Sequence, residues 1–171
     1  RPVLTEAGLF ERLSLEGFQS GLSWLTILRR REGFRAAFAG FDPEIVAAFG
    51  GRDVLRLLAD ERVIRHRGKI EATISNARVV LSLREAGRPL EQVVAAHRPA
   101  PRAAPASLAD VPTATPESAA LAKELRAAGW RFLGPTTAYA AMQACGIVND
   151  HLAGCPVRDE VHRARAVAGL A

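Results

Sequence analysis

Apolar residues recur at helical spacing along most of the chain, and no useful length of it alternates apolar with polar residues as a strand would. From Leu4 to Glu16, the positions Leu9, Phe10 and Leu13 predict a first helix. Ser23 is placed to cap a second, running through Trp24, Ile27, Leu28 and Arg31. Asp42-Pro43-Glu44 combines a capping acid, a proline for the first turn and a second acid near the positive dipole end, which marks a helix start. Gly50-Gly51 is expected to end that helix, and Asp53 to begin another with Val54, Leu57 and Leu58 on one face. The clearest helix is Lys69 to Ala86, with a stripe of Ile70, Ile74, Ala77 and Leu81 and a following Gly87. Residues 98–116 hold Pro99, Pro101, Pro105, Pro112 and Pro116 and read as a linker or lobe boundary. Thr115-Pro116-Glu117 then opens a helix expected to stop at Gly129. The pattern predicts an all-α fold without internal repeats.

Composition narrows the class. At 171 residues and 49% hydrophobic, the chain can build a real core in one domain or two small lobes sharing a cleft. No apolar run reaches the length of a membrane span, and no signal peptide is visible. The formal charge of +5 suits a phosphate backbone or another anionic surface, although an arginine-rich proteome gives the same balance. Lysine occurs only at Lys69 and Lys123. The cysteines are Cys145 and Cys155; nothing else looks secreted, so a reducing, cytoplasmic setting is expected.

Two segments carry candidate chemistry. In Trp130 to Ala144, WRFLGPTTAYAAMQA, a short apolar turn with Gly134-Pro135 leads into a helix expected to begin near Thr136. Free backbone N–H groups at such a start form a ready anion site, as in the helix-hairpin-helix module that grips DNA phosphates. An ordinary corner between helices has the same pattern. In Asn149 to Cys155, NDHLAGC, His151 and Cys155 stand at i and i+4 and can face one ion. Zinc accepts imidazole nitrogen and thiolate together, but a structural site needs four ligands. Cys145 and His162 are in range without paired-ligand spacing; a surface histidine and a small buried cysteine fit the motif equally. His66 and His97 have no partners in sequence and read as solvated.

Together the segments LFERLSLEGFQSGLSWLTILRRR, FDPEIVAAF, VIRHRGKIEATISNAR and RFLGPTTAYAAMQACGIVNDHLAGC resemble the 3-methyladenine DNA glycosylase I family, of the helix-hairpin-helix DNA glycosylase superfamily. They span nearly the whole chain in family order, so residues 1–171 read as a single glycosylase domain with a Pro-rich loop at 98–116. The tail from Pro156 resembles the family only loosely. The resemblance implies two helical lobes around a base-binding cleft, with a zinc-linked terminal region. It implies a monofunctional enzyme that removes 3-methyladenine from alkylated double-stranded DNA, acting as a monomer with no catalytic cofactor and no membrane attachment. It also implies a structural zinc, to which this chain matches His151 and Cys155. The family's remaining zinc ligands, a Cys and a His within an HD-x-EWG motif, belong to a segment before Arg1, as do pocket tyrosines.

The resemblance further places Glu16 and Trp24 in the base pocket, with Glu16 as the acid that reads the base. The chemistry agrees. Methylation at N3 makes the adenine of the nucleotide cationic and weakens its glycosidic bond. A carboxylate accepts hydrogen bonds from the purine's donor edge, and an indole stacks on the flat base. Read alone, Glu16 would be a solvated helix-end acid and Trp24 a core residue. On one continuous helix the two would stand about 12 Å apart at a rise of ~1.5 Å per residue, so the chain must turn between them. Gly17 and Gly21 are expected to allow that turn. Gln19 and Leu22 would then face DNA as the wedge filling the gap left by a flipped nucleotide. Phosphate contacts are expected from Gly134, Thr136 and Thr137 at one helix start, and from Arg65, Arg67 and Lys69 near another. Asp150 reads as structural. No nucleophilic lysine sits beside the hairpin, so β-lyase chemistry is not expected. A non-catalytic helix-hairpin-helix DNA-binding module is the alternative, and a helical interaction protein with incidental charge a third.

Overall fold

The computed structural model describes residues 2–170 and contains no strand among them. Its α-helices are α1 (Glu6–Gln19), α2 (Trp24–Ala37), α3 (Pro43–Ala47), α4 (Gly51–Ala59), α5 (Arg67–Glu85), α6 (Leu90–Ala96), α7 (Pro116–Ala127), α8 (Pro135–Ala144) and α9 (Arg158–Val167). The helix starts follow local chemistry. Ser23 Oγ accepts from the Thr26 amide at 3.2 Å to cap α2. Asp42 Oδ1 accepts from Glu44 N–H at 2.9 Å, with Pro43 in the first turn of α3. Thr115 and Ser118 exchange bonds at the start of α7: Thr115 Oγ1 accepts from Ser118 N–H, and Ser118 Oγ from Thr115 N–H.

Several bounds differ from expectation, and two helices are unexpected. Helix α3 stops at Ala47, and Gly50 is instead the N-cap of α4, where its amide donates to Asp53 Oδ2 at 3.1 Å. Helix α1 runs on to Gln19, so Gly17 lies inside it rather than in the turn. Helix α6 follows Pro89 and is too short for its periodicity to stand out. Helix α9 buries no residue, so it carries no apolar stripe to betray it.

Helix α1 is the centre of the packing and meets α2, α5, α6 and α8. It buries Leu9, Phe10, Leu13, Leu15 and Phe18, at roughly 1.5–3 kcal/mol per fully buried large apolar side chain. Phe10 sets its edge against Phe41 and Trp130, and Phe18 leans on Phe34 and Phe38. Glu11 is buried between α1 and α2. Desolvation opposes its charge, but hydrogen bonds from Arg31 at 2.7 Å and Arg35 at 2.8 Å prevail and hold its carboxyl below the ordinary value. Helix α5 packs against α1, α3, α4 and α6, and α7 pairs with α8.

The Pro-rich segment is a strap pinned to the rest rather than a free linker. Pro105 is buried and its carbonyl accepts from Ala153 N–H at 2.9 Å. Arg102 donates to Tyr139 Oη and to Asp150.

Candidate active site

A groove opens between the last turn of α1, the first turn of α2 and helix α8. Glu16, Gln19 and Trp24 line it from one side, Ala140, Gln143 and Ala144 from the other. Its empty volume, open mouth included, is about 780 Å³. Glu16 is only 6% exposed. Among the described residues no donor lies within hydrogen-bonding distance of its carboxylate. Burial pushes its pKa up to about 7, and Arg12 one turn earlier draws it back only in part. The site therefore holds an acceptor in want of a donor, beside the half-buried ring of Trp24. The sequence places this pair far apart on a continuous helix; the fold joins them by stopping α1 at Gln19 and starting α2 at Trp24.

The intervening turn is tightly built. Gly21 takes a φ of +84°, a conformation that disfavours any side chain. Leu22 N–H donates to Gln19 O at 2.7 Å, and Gln19 Nε2 donates to Leu22 O at 2.7 Å. Gln19 thus braces the turn with its amide, while Leu22 is the exposed apolar tip, 38% accessible. The expected wedge pair is in this way divided between a brace and a point.

Lys69 does not present a cation to the surface. It is buried, and its ammonium donates to Phe18 O at 3.0 Å and Ser20 O at 2.7 Å. Desolvation holds its pKa below the ordinary lysine value. The phosphate contact expected of Lys69 is therefore corrected: the side chain is spent on carbonyls at the C-terminal end of α1, which has no basic residue in its own last turn. Arg65 and Arg67 remain exposed beside it, Arg67 within 3.2 Å of Glu71. His66 is not merely solvated, since its Nδ1 accepts from Lys69 N–H at 3.3 Å and caps α5. His97 also has a partner, Glu124 Oε2 at 2.6 Å.

The hairpin between α7 and α8 leaves Gly129 at φ +102° and passes through buried Trp130. Phe132 then takes φ +56°, unusual for a side-chain-bearing residue, and stays 42% exposed. Its ring meets the edge of His66, and Arg131 stands over it at 6.0 Å. Gly134 is the N-cap of α8 without a side-chain cap bond, Pro135 follows, Thr136 is exposed and Thr137 half-buried. Gly17 faces the hairpin: a Cβ there would lie 3.4 Å from Phe132 O, in van der Waals contact, which leaves little room for a larger side chain. Sequence alone gives no role to Phe132 or Arg131 and reads His66 as solvated. Their cue is a bulky residue inside a turn, which only backbone dihedrals reveal.

The half-site motif is ordered by its neighbours. His151 Nδ1 lies 2.7 Å from Asn149 Oδ1, which leaves Nε2 available, and Cys155 is half-buried. Arg158 of α9 donates to the carbonyls of Asn149 and His151. Among the described residues no group of three or more His, Cys, Asp and Glu gathers around a common point. Cys145 is buried, and desolvation raises its thiol pKa to about 12. Asp150 accepts from Tyr139 Oη at 2.6 Å, Gln143 Nε2 at 2.8 Å and Arg102. Burial opposes its charge, yet these three donors hold its pKa below the ordinary value, so its oxygens are occupied in joining α8 to the strap.

Helices α1, α2 and α8 thus bring a buried acid and an indole into one groove, with the Leu22 turn joining the first two helices. Residues 1–159 match the family model described as methyladenine glycosylase. DNA-3-methyladenine glycosylase 1 of Escherichia coli (strain K12) is 49% identical over 157 residues, covering 90% of this chain and 83% of that protein. A crystal structure of 3-methyladenine DNA glycosylase I superposes with a TM-score of 0.87 at 48% identity, covering 91% of this chain and 86% of the other. The Staphylococcus aureus structure describing 3-methyladenine recognition by the same enzyme gives 0.88 at 32% identity, with 92% and 85% coverage. The chain belongs to the methyladenine glycosylase family.

Proposed function

We propose that this protein initiates base-excision repair by hydrolysing the N-glycosidic bond of 3-methyladenine in alkylated double-stranded DNA. One observation carries the reading: a buried, unpartnered carboxylate, Glu16, shares a groove with Trp24. Leu22 enters the duplex as the base leaves it, and the groove receives the base. Trp24 stacks on the ring, and Glu16 accepts from its donor edge. The lesion supplies most of the chemistry, because its cationic base is already a good leaving group. The groove favours the departing base by excluding water and by holding a negative charge against the methylated purine. Asp150 is tied up by three donors and takes no part in activating water. The hairpin, read as a helix-hairpin-helix element, sets the free amides of α8 and the exposed Thr136 against phosphate, with Arg65 and Arg67 alongside. The groove between the α1–α2 unit and α8 corresponds to the cleft between two lobes. No helix is long and apolar enough to cross a membrane among the described residues. Both cysteines are free, as suits a cytoplasmic enzyme. A monomer suffices, since every proposed contact comes from one chain.

A structural zinc fits the chemistry of the terminal motif. His151, oriented through Nδ1 by Asn149, and Cys155 would supply two of its four ligands. Bound there, the metal would supply a cross-link to the C-terminal region and no reactive group. We expect metal analysis of protein extended upstream with a further Cys and His to find one zinc per chain, lost from a His151→Ala, Cys155→Ala double variant. A metal-free extended protein refutes the site.

The activity itself is tested by incubating methylated duplex with the protein and measuring free 3-methyladenine. Release is expected from wild type; duplex binding without release would leave a non-catalytic DNA-binding module.

A further inference from the structure

Helix α5 carries a buried polar stripe that the base groove does not use. Lys69, Thr73 and Asn76 lie at i, i+4 and i+7 on one face, each no more than 8% exposed, on a helix otherwise buried through Ile70, Ile74, Ala77 and Val80. They line a narrow cleft between α1 and the hairpin, shared with Gly17 and Phe132. At one end, the Lys69 ammonium holds Phe18 O and Ser20 O, the backbone that leads into the Leu22 turn. At the other, Asn76 clamps the hairpin as a strand neighbour would: its Nδ2 donates to Arg131 O at 3.1 Å, and its Oδ1 accepts from Arg131 N–H at 2.8 Å. Thr73 Oγ1 donates to Lys69 O at 2.9 Å between them. Packing a lysine and an amide here is costly unless their bonds are made, and apolar residues of similar volume would strip the carbonyls of Phe18, Ser20 and Arg131 and the Arg131 N–H of these partners. What polar groups add is a fixed geometry, because directional bonds tie two irregular segments to one rigid helix.

We infer that the Lys69–Thr73–Asn76 stripe fixes the Leu22 turn and the Arg131–Gly134 hairpin relative to each other, making Lys69 and Asn76 positioning residues for base extraction. The inference rests on reading the chain as a glycosylase whose turn enters the duplex while its hairpin holds the backbone. Neither residue lines the groove of Glu16 and Trp24, so their loss separates extraction from base recognition. Lys69 acts through the wedge and Asn76 through the backbone grip, which gives each a different signature.

The test uses Lys69→Met, which keeps the stem and removes the donors, and Asn76→Leu, which keeps the branched shape. Single-turnover excision from methylated duplex should fall about 10- to 100-fold in each, the scale of a small misplacement at a reacting site. Affinity for free 3-methyladenine should stay within about twofold of wild type in both. Affinity for undamaged duplex should drop about threefold or more with Asn76→Leu and hold with Lys69→Met. In a double-mutant cycle, Lys69→Met should cost little on top of Leu22→Ala, because both disable one turn. Thermal melts establish folding; if either variant is unfolded, Lys69→Gln and Asn76→Ser, which each keep a hydrogen-bonding group, replace the pair, with smaller losses in the same pattern. Wild-type excision by the variants, loss of free-base affinity in parallel with excision, or full additivity with Leu22→Ala would each overturn the inference. A wild type that releases no base overturns the glycosylase reading instead, and the duplex-affinity difference between the two variants then decides this one.

Discussion

Glu16 concentrates a conflict at one side chain. A carboxylate prefers water, yet here it is largely buried with no protein donor bonded to it, and its pKa rises to about 7. The folded state therefore binds a proton that the unfolded chain releases near the ordinary carboxylate value. Between that value and about 7 stability declines as pH rises, and above 7 the whole penalty is present. Glu16→Gln should consequently leave the fold intact and raise stability at pH 8, by at most about 3 kcal/mol, checked by denaturant titration at pH 5 and pH 8. Function should move the other way. Gln removes the charge and presents a donor to donors, so affinity for 3-methyladenine should fall roughly 10- to 150-fold while undamaged duplex binds as before. Since the ionised form is the competent one, kcat/KM of wild type should decline as pH falls through about 7, and the variant should lack that limb. A variant that binds the free base as tightly as wild type would remove Glu16 from the role of base reader.

At the scale of elements, the site is made by close approach of irregular backbone to regular helix. Gly17 shows this most simply. It sits in α1, where alanine would favour the helix, but the hairpin carbonyl of Phe132 lies at the limit of contact with any Cβ placed there. Gly17→Val should push the hairpin away from α1. We expect a loss of about 1–3 kcal/mol in stability, typical of overpacking, with weaker duplex binding. Paired measurements of thermal unfolding and duplex affinity check this; a variant unchanged in both would mean that the contact between α1 and the hairpin carries no load. The strained backbone of Phe132 belongs to the same contact. A left-handed turn at a bulky residue persists only where neighbours hold it, and Asn76, His66 and Arg131 do so.

For the whole molecule, charge decides how the protein finds its substrate. The net +5 is carried almost entirely by arginines, many of them paired with acids or backbone carbonyls, so the field is moderate. Binding to duplex should still weaken steeply with salt, because each phosphate neutralised releases counterions. A plot of log affinity against log salt should have a slope near −0.9 for each contact, and Arg67→Ala should make it shallower by about one. A flat plot would point to an interaction protein whose positive charge is incidental.

The sequence by itself determined the helical class, the starts of most helices and the identity of the chemical groups. Caps such as Ser23, Asp42 and Thr115 act on amides two or three residues away, so their effect is written locally. The bare start of α8 was legible for the same reason, whereas Glu16 and Trp24, read alone as a solvated acid and a core residue, were assigned to a base pocket only by the family resemblance. Tertiary structure alone decided which groups meet and which are free. Lys69 reads as one more surface cation until helix packing turns its ammonium onto Phe18 and Ser20. Asn76 reads as a polar interruption of an apolar stripe until the hairpin arrives to bond it. Gly17 reads as a hinge until the fold places it inside α1 with Phe132 packed against it. Each of these depends on partners roughly fifty or more residues away in the chain, where hydrophobic periodicity carries no information about contact. Burial, which sets the pKa of Glu16 and the direction of Lys69, exists only once those distant segments have closed around them.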